Sequence, residues 1–118
     1  MQFQPGEINI ICTDVAASRH FYCDLLGFEP TVDEEGFYHL LKDGRQYLLL
    51  PIAAPAPVSP YGTVPQFSMD LLVDDMAAAA AYFQRAGVEF AEPWEPGKVM
   101  FVIRDPDGLP WEIVQKGL

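Results

Sequence analysis

Two stretches of this chain decide its fold. They are "INIICTDVAASRHFYCDLLGFEP" (residues 8–30) and "SMDLLVDDMAAAAAYFQRAGVEF" (residues 68–90). Each runs apolar strand, acidic residue, helix with an aromatic pair, glycine and then a new strand. Asp14 matches Asp74 or Asp75, Phe21-Tyr22 matches Tyr82-Phe83, and Gly27 matches Gly87. Asp14 and Asp75 suit helix N-caps, where a carboxylate accepts from orphan amides and faces the positive helix end. Helices are predicted over 15–26 and 76–86, with Gly27 and Gly87 as the left-handed residues that stop them.

After each helix come three further segments with strand character, 28–32, 37–42 and 46–52, then 88–91, 99–104 and 110–115. Lys42-Asp43-Gly44-Arg45 and Pro106-Asp107-Gly108-Leu109 are the corresponding hairpin turns. The Pro-rich run "PIAAPAPVSPYGTVP" joins the two halves and is stiffened by its prolines. The expected architecture is α+β. It has two tandem βαβββ modules (1–54 and 66–118, linker 55–65) that form a cupped mixed sheet with helices on its outer face, within a single domain.

The last strand poses the functional question. In "DPDGLPWEIVQ", Asp105 to Gln115, alternation sends Trp111 and Ile113 to one face and Glu112 and Val114 to the other. A carboxylate midway along an apolar strand is costly to bury unless something pairs with it.

The same parity sets Ile8, Ile10 and Cys12 toward the helix and Glu7, Asn9 and Ile11 away from it. In the second half, Met69, Leu71 and Val73 oppose Ser68, Asp70 and Leu72. Glu7, Asn9, Ser68, Asp70 and Glu112 are therefore expected to line the concave side. A groove of that kind holds water alone or takes a polar or cationic ligand.

Composition narrows the partners. The 118 residues carry 7 Lys and Arg against 17 Asp and Glu, a net charge of −10. That field opposes nucleic acid and anionic membranes, although solubility alone also explains it. No apolar run approaches spanning length and the first residues lack signal-peptide character, so a cytoplasmic protein is expected. Cys12 and Cys23 fit that compartment as reduced residues, without a second pair at zinc spacing. His20 and Cys23, three residues apart on one helix, lack an evident orienting group for nucleophilic catalysis. Phe37, Phe101 and Trp111 read as core; Tyr47, and Trp94 between two prolines, read as stacking surfaces for a ligand.

The tandem pattern, the "SRHFYCDLLGF" helix and the "DPDG" turn before a Glu-bearing strand resemble the vicinal oxygen chelate superfamily. That group includes glyoxalase I, extradiol dioxygenases, methylmalonyl-CoA epimerases, fosfomycin-resistance enzymes and bleomycin-resistance proteins. The resemblance spans nearly the whole chain and specifies a fold more than a function. Members that use a divalent metal place His, Gln or Glu at four strand positions. Here the resemblance puts those positions at Glu7, Leu48 (or Leu49 with a register slip), Ser68 and Glu112. If any metal is held, Glu7 and Glu112 are its ligands. Leu48 has no lone pair, so the expectation is no metal and no cofactor.

Metal-free bleomycin-resistance proteins are acidic dimers that sequester a cationic aromatic drug, and this chain is similar in charge and in its lost ligands. The resemblance thus implies a homodimer that binds a small aromatic or cationic molecule through Glu7, Asn9, Tyr47, Ser68, Asp70, Trp94 and Glu112. The catalytic residues are unassigned. The competing expectation is a metal-dependent lyase, isomerase or dioxygenase with an atypical ligand set.

Overall fold

The computed structural model describes residues 1–34, 37–51, 54–55 and 58–118. They form two compact units, Met1–Ala56 and Pro57–Leu118. The expected spacer 55–65 divides, with its described residues from 58 onward belonging to the second unit.

The first unit contains β1 (Ile8–Ile11), α1 (Val15–Arg19) running into a π-helical turn (His20–Leu25), β2 (Glu29–Glu34), β3 (Phe37–Lys42) and β4 (Arg45–Leu50). The second contains β5 (Met69–Val73), α2 (Met76–Arg85), β6 (Phe90–Glu92), β7 (Met100–Arg104) and β8 (Pro110–Gln115). The sheets have equivalent orders, β1-β4-β3-β2 and β5-β8-β7-β6. In each, the first strand pairs parallel with the last and the other pairs are antiparallel. Two mixed four-stranded sheets, each with its helix, make the α+β class and the tandem βαβββ order.

Local chemistry explains the elements. Asp14 Oδ1 accepts from Ala17 N at 3.2 Å and Asp75 Oδ1 from Ala78 N at 3.0 Å, so both act as N-caps. Such a cap stabilises its helix by about 1 kcal/mol. Gly27 and Gly87 end the helices at φ of 75° and 74°, where a Cβ would be strained. Asp43 and Gly44 have φ of 49° and 79° between the paired Lys42 and Arg45, the signature of a type I′ hairpin turn.

The helices differ. Leu26 N bonds Phe21 O at 3.1 Å, five residues back, and this wider turn buries both Phe21 and Tyr22. In regular α2 the corresponding pair splits, with Phe83 buried and Tyr82 41% exposed.

Each core lies between helix and sheet. In the first unit Ile10, Cys12, Leu40, Tyr47 and Leu49 are buried beneath Phe21, Tyr22 and Phe28. Phe28 touches Tyr22 and Tyr47, with ring centroids 5.5 and 4.8 Å apart. In the second unit Phe101, Ile103, Trp111 and Ile113 are buried, and Phe101 meets Phe83 and Phe90. Aromatic pairs of this kind add about 0.5–1.5 kcal/mol each beyond the area they bury. Phe101 and Trp111 are thus core, as read from the sequence; the side chain of Phe37 lies outside the described residues.

Among the described residues no helix is long and apolar enough to cross a membrane.

Candidate functional site

Strand register builds the acidic face of the second unit. Asp70 on β5 pairs with Glu112 on β8, Glu112 with Val102 on β7, and Val102 with Glu92 on β6. The row Asp70, Glu112, Val102, Glu92 therefore crosses the whole sheet on one face, because register partners share a side. The neighbours of Glu112 along its strand, Trp111 and Ile113, turn into the core. Glu112 itself is half-buried, whereas Asp70 and Glu92 are exposed.

Two groups engage the Glu112 carboxyl. The Tyr61 hydroxyl donates to Glu112 Oε1, and the Asp70 carboxyl stands beside Glu112 on the adjacent strand. Two neighbouring carboxylates repel each other, which favours the neutral form of one of them. Asp70 is accordingly the largest influence on Glu112 and raises its pKa. The Tyr61 donor opposes the rise, while burial and the charges of Asp70 and Glu92 add to it. Burial, then the bond to Glu112 and the surrounding carboxylates, push the Tyr61 phenol up to about 12. The arrangement is a pair of neighbouring carboxyls with a phenol donating into one of them.

The corresponding face of the first unit is chemically different. Asn9, Leu48 and His39 form its row, with Asn9 paired to Leu48 and Leu48 to His39. His39 Nδ1 lies 3.1 Å from Glu7 Oε2, with the side chains 27% and 35% exposed. The carboxylate selects the ring tautomer that donates from Nδ1.

The other expected site residues take different positions. Tyr47 does not offer a stacking surface: it is 3% exposed, buried against Phe28, because strand alternation turns it to the helix side while Leu48 faces the other way. Trp94 is half-buried in the β6–β7 loop, and its Nε1–H donates to Lys98 O at 2.8 Å, so its indole is fixed by its own loop. Asn9 and Ser68 are exposed. The structure thus brings Asp70 together with Glu112, and Glu7 with His39.

His20 pairs with Asp24, Nδ1 to Oδ2 at 2.9 Å. Burial outweighs the nearby Arg19 and raises the Cys23 thiol pKa, which disfavours a nucleophilic thiolate.

Sequence reasoning missed Tyr61, Glu92 and the pairing of His39 with Glu7. Tyr61 lies in the Pro-rich run, whose composition reads as a spacer. The available signal was a lone phenol in a segment otherwise made of small residues and prolines. Glu92 required the register of β6 against β7, which alternation within one strand does not supply.

The donor set fits a resident metal poorly. Of the four resemblance positions, Leu48 offers no donor, Ser68 is a weak neutral one, and the Glu7 and Glu112 carboxyls are already hydrogen-bonded. Among the described residues, no three His, Cys, Asp or Glu side chains form a metal-holding group.

Comparison with known proteins agrees with the topology. The chain is 31% identical over 128 residues to the uncharacterised protein YaeR of Escherichia coli (strain K12), covering 96% of each chain. Its fold is similar to that of the fosfomycin resistance protein FosX from Listeria monocytogenes, with TM-score 0.78, 14% identity and coverage of 100% of this chain and 97% of that one. It is also similar to lactoylglutathione lyase from Agrobacterium tumefaciens, with TM-score 0.66, 22% identity and coverage of 96% and 93%. At these identities the two structures speak for the fold alone. Residues 4–113 match the profile of a family that shares this duplicated unit, and the chain belongs to it: the Glyoxalase/Bleomycin resistance protein/Dioxygenase superfamily.

Proposed function

We propose that the chain binds a small cationic or hydrogen-bond-donating organic molecule at the Asp70–Glu112 pair, without a resident metal. The observation that carries this reading is the Tyr61–Glu112–Asp70 arrangement on the sheet face of the second unit. Two neighbouring carboxyls, one with its pKa raised by the other, are a site where an ammonium or amidinium group pairs with both and relieves their repulsion. Glu92, in the same register row, adds negative charge, and the net charge of −10 favours approach of a cation. Half-buried Glu112 retains more of that attraction than a fully solvated carboxyl does.

Drug sequestration fits this chemistry, since binding alone suffices and no bond need be made. The names of the structurally similar proteins, a fosfomycin resistance protein and lactoylglutathione lyase, keep small-molecule chemistry in view for this chain as well.

Calorimetric titration with benzyltrimethylammonium, an aromatic cation, tests the reading. Saturable binding that is unaffected by a chelator and weakened about tenfold or more in Glu112→Gln is expected. Heats that never saturate, or binding that requires added divalent metal, would overturn it. The second outcome would favour a metal-dependent lyase, isomerase or dioxygenase.

A further inference from the structure

The segment that holds Tyr61 on Glu112 has its own anchor. A Cβ built on Gly108 would fall 2.6 Å from Val58 Cγ2 and 3.1 Å from Val58 Cγ1, so the Val58 side chain occupies the space a residue with a side chain would need. Gly108 is held in place from several directions. Its N–H donates to Asp105 O at 2.9 Å, Arg104 Nη1 donates to its carbonyl at 2.8 Å, and Asp105 Oδ1 accepts from Asp107 N and Leu109 N at 2.9 Å each. Asp105 and Arg104 are buried beneath the turn. The glycine is thus a rigid seat, and Val58, although half exposed, has a stiff β-branched side chain to rest in it.

The two contacts run in step. Val58 meets Gly108, and three residues later Tyr61 meets Glu112, four residues beyond Gly108. Three extended residues span roughly 10 Å and four strand residues roughly 13 Å, so the segment follows the start of β8 in the same direction. Pro60 restricts the backbone just before Tyr61. A turn follows, closed by Gly62 N donating to Gln66 Oε1 at 3.3 Å and Thr63 Oγ1 to Pro60 O at 3.2 Å.

We propose that residues 58–61 form a strap, seated by Val58 on Gly108, that holds the Tyr61 hydroxyl over Glu112 and makes Tyr61 an internal competitor for whatever reaches that carboxyl. Val58 is a positioning residue, since it acts only through Tyr61. Its half-exposed seat is shallow enough to be left, and a ligand at Glu112 gains access by displacing the strap. The anchor stands on the geometry of Val58 and Gly108. The competition rests on the ligand reading given above.

Hydrogen exchange and phenol titration test the anchor without any ligand. In Val58→Ala, exchange of the Gly62 amide is expected to rise about tenfold while β5 and β8 amides are unchanged. The high-pH ultraviolet titration should show one phenol moving from about 12 toward the ordinary value near 10, a step that Tyr61→Phe removes altogether. Gly108→Ala should release the strap too, but its φ of 88° threatens the turn itself, so Val58→Ala is the decisive variant. Unchanged exchange and titration, or acceleration spread equally over β5 and β8, would overturn the strap.

Benzyltrimethylammonium then tests the competition. About threefold tighter binding to Val58→Ala than to the unaltered chain supports it, and equal affinity refutes it. Absence of binding to both proteins removes the ligand reading and with it the competition, while exchange and titration still decide the anchor.

Discussion

Leu48 holds in the first unit the register position that Glu112 holds in the second. Asn9 pairs with Leu48 across the parallel β1–β4 ladder as Asp70 pairs with Glu112 across β5–β8. The same backbone geometry therefore presents an amide beside an aliphatic chain in one unit and two carboxyls in the other. Two carboxyls face each other only in the second, and the chemistry of the duplicated unit is asymmetric as a result.

The raised pKa of Glu112 should be visible in stability against pH. The folded state raises the Glu112 pKa above its ordinary value near 4.5, first through Asp70, so the native form binds the proton more firmly than the unfolded chain does. The stabilisation is full below the unfolded value and is lost as pH rises through the folded value. Thermal melts between pH 4 and pH 8 should show stability declining across that window in the unaltered protein and a flatter profile in Glu112→Gln. Parallel profiles for the two proteins would sink the idea.

The turn after β7 depends on one buried carboxylate. Asp105, 4% exposed, accepts from the Asp107 and Leu109 amides through one oxygen at 2.9 Å each, so its loss takes both bonds from the turn. Asp105→Ala should cost about 2–4 kcal/mol in chemical denaturation. Asp105→Asn keeps an acceptor oxygen at the same place and should cost clearly less. Equal losses from the two substitutions would show that the charge, rather than the acceptor, matters.

Ser18 offers a gain. Its hydroxyl is fully buried on α1 and has no hydrogen-bond partner among the described residues. Ser18→Ala removes an unsatisfied polar atom and installs a better helix former, so stability should rise by about 1 kcal/mol. A drop in melting temperature would mean that the hydroxyl is bonded in solution.

Much of this was readable from residue order. The caps Asp14 and Asp75, the stopping glycines and the in–out alternation around Glu112 all follow from local rules, because each concerns neighbours along the chain. Tyr47 was misassigned because an aromatic residue on a strand signals burial and ligand contact equally well, and only the packing of Phe28 against it separates them. The Glu7–His39 pair joins residues 32 positions apart, and Tyr61 reaches Glu112 across 51. Neither distance leaves any periodic trace. Asp70 and Glu112 were placed on a common side by parity, but their direct contact is a property of β5–β8 register.

The wide turn of the first helix records a difference in length between the two copies of the unit. Gly27 follows Asp14 by thirteen positions, whereas Gly87 follows Asp75 by twelve. One additional residue stands between cap and stop in the first copy, and the five-residue hydrogen bond from Leu26 to Phe21 takes it up inside the helix. The two units thus differ by one residue that the helix backbone accommodates, with both N-caps and both stopping glycines kept in place.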